Sequence, residues 1–210
     1  MIDRKSHWES VFRSKSPEEV SWTQKVPETS LLLIRKLKLP ETAEIIDVGG
    51  GDSKLVDHLL DEGYTNITVL DISGRAIDKA KNRLGDRAGL VNWVVSDILE
   101  FIASKKYDLW HDRAAFHFLT EPKEIRRYIQ IAERSVQGFI TLATFSDKGP
   151  KTCSGLSVRQ YSEELIQKEL ANGFHKIACK TEDHITPFGS RQNFLFCTFR
   201  RSQIRTSSVN

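Results

Sequence analysis

Cysteine is scarce in this chain, and its distribution is uninformative as a framework. Cys153, Cys179 and Cys197 are odd in number and far apart, with no C-x-x-C pair and no histidine at metal-ligand spacing. That pattern argues against a disulfide scaffold and against a zinc site, so the expectation is free thiols in a reducing cytoplasm and no metal. Long apolar runs are missing too. The first twenty residues mix both charges with isolated apolar side chains, so no signal peptide is expected, and no later run approaches the roughly 20 apolar residues that span a bilayer. Nor is charge of one sign concentrated. Lysine plus arginine number 31 against 28 aspartate plus glutamate, spread along the chain, which gives no footprint for a nucleic-acid partner. There is no internal repeat and no low-complexity linker. What is present suits one soluble domain with a real core: 210 residues, 39% hydrophobic and 28% charged, with 11 Phe and 4 Trp.

From residue 43 onward, short β-branched apolar runs alternate with amphipathic stretches, the signature of an α/β fold with a parallel sheet and crossover helices. Strands are expected at 43–48, 66–73, 90–97, 106–112 and 138–145. Helices are expected at 53–63 and 73–85, each closed by a glycine, and at 121–136 and 162–173. The last part changes character. Residues 175–184 and 192–201 read as two strands around a Pro- and Gly-containing loop, so five crossover strands precede a terminal hairpin. Residues 1–39 read as one or two helices, a candidate lid on a single domain over 1–200, and 201–210 as a flexible polar tail.

The stretch "EIIDVGGGDSKL", residues 44–55, places three glycines directly after the first strand. In open parallel sheets a ligand binds beyond the carboxyl ends of the strands, where the first strand-to-helix turn lies. Gly49 and Gly51 would let the main chain pass close beneath that ligand. Asp71 closes the second strand twenty residues after Gly51, where a carboxylate takes two ribose hydroxyls. Each signal has a plain alternative, a tight connection for the glycines and a helix N-terminal acid for Asp71, but together they imply a nucleoside. Asp52 and Ser53 follow Gly51 in place of a third glycine, and the added negative charge opposes a diphosphate. A cofactor with a cationic centre and an amino-acid tail meets no such conflict, and Asp47 can receive its ammonium directly or through water. An NAD(P)-dependent oxidoreductase would show a complete G-x-G-x-x-G, which is absent; a non-catalytic nucleoside-binding domain is the third reading.

With "IIDVGGGDS", "VLDIS" and "VSDIL" in this order, residues 40–112 resemble a class I, seven-strand S-adenosylmethionine-dependent methyltransferase, a Rossmann-like doubly wound sheet with helices on both faces. The resemblance implies S-adenosyl-L-methionine as cofactor. It also implies that Gly49 and Gly51 pack against the methionine part, that Asp71 with Ile72 holds the ribose, and that Asp97 meets the adenine amino group with Ile98 beside the ring. His111 joins the cofactor residues. "GYTNITVLDIS" is similar to seven-strand protein lysine methyltransferases, which carry D-K-G-T after the fourth strand; here "HDRAAFHF" keeps the acid as Asp112 and lacks the lysine and glycine. That departure leaves both a protein and a small-molecule acceptor open. "HWESVF", "LWHDRAAFHFL" and "EDHITPFGSRQNFLFC" are similar to a bacterial-type subgroup of these enzymes.

"WHDRAAFHFL", residues 110–119, gathers two histidines, an aspartate, an arginine and three aromatics where the acceptor is expected. Methyl transfer from a sulfonium is an in-line displacement that depends mainly on positioning and desolvation. An amine acceptor must first lose a proton, and Asp112 and His117 are the candidates to orient it. Arg113, Trp22 in the N-terminal segment, and His184 and Arg191 in the terminal hairpin are the candidates on the substrate side.

Overall fold

The computed structural model describes residues 3–202. Two helices come first, α1 (Arg4–Ser14) and α2 (Glu28–Lys36), separated by a single 3-10 turn. Alternation follows: β1 (Glu44–Val48), α3 (Leu55–Asp61), β2 (Asn66–Asp71), α4 (Gly74–Leu84), β3 (Val91–Val95), β4 (Tyr107–Arg113), α5 (Pro122–Ser135) and β5 (Val136–Phe145). A small hairpin, β6 (Thr152–Cys153) and β7 (Leu156–Ser157), precedes α6 (Glu163–Leu170) and the long strands β8 (Phe174–Ile185) and β9 (Arg191–Arg201). The sheet order is β3-β2-β1-β4-β5-β9-β8, with β9 inserted antiparallel between β5 and β8. The strand order therefore reverses between β1 and β4, which opens a crevice at their carboxyl ends.

Local chemistry accounts for the boundaries. Ser73 Oγ accepts from the Ala76 amide at 3.2 Å and starts α4; Ser162 Oγ does the same for Leu165 at 3.2 Å and starts α6. Gly63, at φ +87°, takes the left-handed position after α3. Alternation along the strands then sends side chains to two cores. Ile45, Ile67, Val69 and Leu109 pack under α2, α3 and α4, while Ile46, Val48, Leu70 and Trp110 pack under α5 and α6. Among the described residues no helix is long and apolar enough to cross a membrane.

Two expectations are corrected. Cys179 and Cys197 form a disulfide, because the β8–β9 register sets them directly opposite with Cα atoms 4.1 Å apart; the pairing depends on a long-range register that cysteine spacing does not encode. Cys153 is free and buried. The β6–β7 hairpin was not expected either: its turn puts Ser154 at φ +51° and Gly155 at φ +77°. Of the tail expected over 201–210, Arg201 completes β9, and residues from 203 lie outside the described residues.

Candidate active site

The glycine turn leaves β1 under constraint from its neighbour. The amides of Gly49 and Gly50 both donate to the Leu70 carbonyl, at 2.7 and 3.2 Å, so the loop is bonded to the end of β2. Gly49 sits at φ +67° and Gly51 at φ +44°. A Cβ on Gly49 would lie 2.5 Å from the Ala115 Cβ, and one on Gly51 would lie 2.8 Å from Asp71 Oδ2. Both the left-handed conformation and the close packing require glycine here. A side chain at 51 would also cover the carboxylate that ends β2.

Asp71 is buried and is met by backbone amides alone: Oδ1 accepts from Ser73 N at 2.8 Å, and the Ile72 amide also favours the carboxylate. Burial pushes its carboxyl up to about 7, and the nearby charges of Asp47 and Glu9 add to the shift. Among the described residues no cation pairs with it. Gly49, Asp71, Ile72, Asp97 and Ile98 line one cleft. Asp97 Oδ1 accepts from the Leu99 amide at 2.8 Å and so turns the chain at the end of β3.

Aromatic side chains from the N-terminal segment close over this cleft. Trp8 and Phe12 of α1 line it with Trp22 and Phe118; Trp8 packs edge-on against Trp22 at 5.7 Å and Phe118 at 5.1 Å. Polar contacts hold α1 across the crevice. Glu9 accepts from the Gly74 amide at 2.7 Å, and Arg4 pairs with Glu124 at 2.7 Å. Of these aromatics, Trp22 is a named candidate of the sequence and Phe118 lies in its 110–119 stretch, whereas Trp8 and Phe12 are additions. The available signal for the others was an i,i+4 pair, Trp8 and Phe12, on a helix whose one buried residue is Val11: aromatics the core does not use.

A second cleft lies on the other side of Gly49, lined by Trp22, Gln24, Asp47, His111 and Arg113, with Ile185 and Pro187 at its rim. Here Asp47, His111 and Ser30 form a buried chain: His111 Nδ1 to Asp47 Oδ1 at 2.7 Å, and His111 Nε2 to Ser30 Oγ at 2.9 Å. With Nδ1–H donating to the carboxylate, Nε2 accepts from the serine hydroxyl, so the network fixes the tautomer and the direction of Asp47.

The two residues expected to orient the acceptor are elsewhere. Asp112 is fully buried and turned into the core, where Oδ2 accepts from Tyr128 Oη at 2.7 Å and Oδ1 from the amides of Ala115 and Phe116 at 3.0 and 3.1 Å. One oxygen is occupied by the turn that follows β4 and the other by the phenol from α5. His117 is fully buried against Phe145, 4.5 Å between ring centres, and Nδ1 accepts from the Phe145 amide at 3.3 Å. Burial lowers it to about 3, with Arg113 adding to the effect, so its ring is neutral. Neither lines either cleft. On the substrate side, His184 Nε2 donates to the Ser21 carbonyl at 2.7 Å and ties the terminal hairpin to the N-terminal segment. Arg191 is exposed and pairs with Asp183 at 3.2 Å, away from both clefts. Trp22 and Arg113 line both clefts.

The sheet order, the antiparallel β9 and a cleft built from the ends of β1, β2 and β3 are those of the seven-strand methyltransferase architecture. Residues 46–135 match the methyltransferase domain family. A malonyl-acyl-carrier-protein O-methyltransferase of Anoxybacillus flavithermus is 34% identical over 119 residues, 56% of this chain and 44% of the relative. The chain spans less than half the length of the curated relatives it matches. Among solved structures, one described as the conversion of a disulfide bond into a thioacetal group during echinomycin biosynthesis superimposes with a TM-score of 0.75 at 20% identity, over 94% of this chain and 93% of that one. The N-methyltransferase NodS of Bradyrhizobium japonicum with S-adenosyl-L-homocysteine superimposes with a TM-score of 0.67 at 18% identity, over 93% of each. The family match over residues 46–135, these relatives and the shared fold together support a class I S-adenosylmethionine-dependent methyltransferase.

Proposed function

We propose that this chain transfers a methyl group from S-adenosyl-L-methionine to a nucleophile admitted through the second cleft. The observation that carries the reading is Asp71: a buried carboxylate met by backbone amides alone, with no side-chain donor and no cation, lying beneath a glycine turn that a side chain would block. Two vicinal hydroxyls are the partners its free oxygen lacks. In this reading Asp71 and Ile72 hold the ribose, Asp97 and Ile98 the adenine, Gly49 and Gly51 the methionine part, and Asp47, aimed by His111, its ammonium. When bound, the cofactor supplies a sulfonium-activated methyl group. The N-terminal segment through residue 39 acts as a lid that excludes water.

Neither Asp112 nor His117 is a base in this proposal, because both are enclosed by the core. The protein then contributes orientation and desolvation, and an amine acceptor loses its proton to water before it attacks. The acceptor is a small molecule or a protein side chain. A cytoplasmic setting remains part of the proposal, with Cys179 and Cys197 held as thiols there and the bond forming on oxidation.

Calorimetric titration with S-adenosyl-L-homocysteine and, separately, NADH tests the donor. Binding of the first with none of the second is expected; the reverse defeats the proposal. Incubation with a labelled methyl donor and a fractionated lysate then separates the acceptors, since label in the macromolecular fraction points to protein. Binding without transfer to any fraction would leave a nucleoside-binding domain.

A further inference from the structure

Among the described residues Arg113 makes no ion pair. It ends β4 with its guanidinium 4.9 Å above the Phe194 ring, and the wall it forms belongs to both clefts. Nη1 donates to the Trp22 carbonyl at 3.0 Å, whereas Nε and Nη2 are covered and have no acceptor. Among the described residues no carboxylate lies within ion-pair distance. The two carboxylates it feels are engaged elsewhere: Glu182 with Lys180 and Thr29, and Asp47 with His111. Arg83 shows the contrast, since it bonds Asp57 through Nε and Nη2 and pairs with Asp52 as well.

A buried guanidinium is expected to be paired, and its edge formed by Nε and Nη2 is the one that matches the two oxygens of a carboxylate. The adjoining backbone is held in an unfavourable conformation, with Ala114 at φ +70° and its amide bonded to the Ala143 carbonyl at 2.9 Å. Trp22, whose carbonyl is the one acceptor on the guanidinium, belongs to the segment that covers the clefts. Displacing that segment gives access to the unpaired edge.

We propose that Arg113 is the receptor for a ligand carboxylate at the junction of the two clefts, its Nε–Nη2 edge donating to both oxygens. The inference rests on the methyltransferase reading, in which such a carboxylate comes from one of two sources: the amino-acid end of the methyl donor, or the acceptor.

The test uses the full chain as wild type, Arg113→Gln and Arg113→Lys, each checked by thermal unfolding. In the donor arm, S-adenosyl-L-homocysteine and its decarboxylated analogue are titrated in turn. In the acceptor arm, protein saturated with S-adenosyl-L-homocysteine is titrated with benzoate, phenylacetate and glutarate and with their neutral amides. At least 10-fold tighter binding of the carboxylate form to wild type is expected in one arm, abolished in Arg113→Gln and reduced in Arg113→Lys. The arm that responds names the source. The proposal is overturned if wild type distinguishes acid from neutral analogue in neither arm, or if Arg113→Gln keeps the discrimination. Should Arg113→Gln fail to fold, the lysine variant decides, because it keeps the charge and loses the two-point contact. Equal binding of the two donor analogues, with no acid bound in the other arm, sinks this inference and leaves the methyltransferase reading intact. Failure of wild type to bind S-adenosyl-L-homocysteine sinks that reading.

Discussion

Asp71 closes β2 and Asp112 is the penultimate residue of β4, on either side of β1, and both are buried, yet the protein treats them differently. Asp112 receives a phenol as well as two amides; Asp71 receives no side-chain donor, only backbone amides, of which Ser73 N is at 2.8 Å. Burial pushes both upward, Asp112 to about 6 and Asp71 to about 7. A carboxylate whose oxygens are filled from within supports the fold. One left short of donors at the mouth of a glycine turn fits a ligand that completes it.

The largest effect expected from breaking this comparison is on stability. Asp112→Ala leaves Tyr128 Oη and the amides of Ala115 and Phe116 without their acceptor, and each orphaned buried group costs about 1–3 kcal/mol. Because the three are coupled, the sum is not additive, and a loss of roughly 3 kcal/mol or more is expected in urea unfolding. If the variant unfolds like wild type, Asp112 is not the structural member of the pair.

Asp71→Asn should do the opposite. Loss of a charged acceptor for two ribose hydroxyls should weaken S-adenosyl-L-homocysteine binding by roughly 10- to 100-fold, while the ligand-free protein at pH 8 is no less stable than wild type. The sign follows from linkage. The folded-state value of about 7 lies above the ordinary carboxylate range, so the proton binds the folded state more tightly. Its contribution to stability is fully present below about pH 4 and is lost as pH rises through about 7. Unfolding measured from pH 4 to 8 should therefore show the variant gaining on wild type up to about pH 7 and level thereafter. A flat difference across that range would mean that the carboxyl is not held neutral by burial.

How legible these roles were in the sequence depends on distance along the chain. The glycine turn, Asp71, Asp97 and the alternation of strands and helices are local patterns, and the cleft they line could be read from them. Asp112 and His117 could not, because strand alternation places a residue on a face without saying whether an α5 tyrosine or a β5 amide will occupy it. The same limit applies to Cys179 and Cys197. A bond between them closes a segment 18 residues apart in sequence, for which chain entropy alone gives about 3 kcal/mol at most. Since β8 and β9 already pair along their length, Cys179→Ser is expected to lose only about 1–2 kcal/mol in unfolding under oxidising conditions, with the affinity for S-adenosyl-L-homocysteine unchanged. A loss of affinity would connect the hairpin to the cleft.

The smallest effect belongs to an arginine whose charge is already answered. Arg191 begins β9 with an exposed guanidinium 3.2 Å from Asp183, whose other oxygen accepts from Asn193. An exposed ion pair of this kind contributes about 0–1 kcal/mol, since water competes for both partners and salt screens them. Arg191→Ala is therefore expected to shift unfolding by less than about 0.5 kcal/mol and to leave acid discrimination in both titration arms as in wild type. Arg113, half-buried on the wall of the clefts with its Nε and Nη2 covered and unpaired, is the arginine on which that discrimination should depend. Equal losses of discrimination from the two substitutions would show that the clefts respond to the net charge of the β9 region, and the contrast between a matched and an unmatched guanidinium would have no functional meaning.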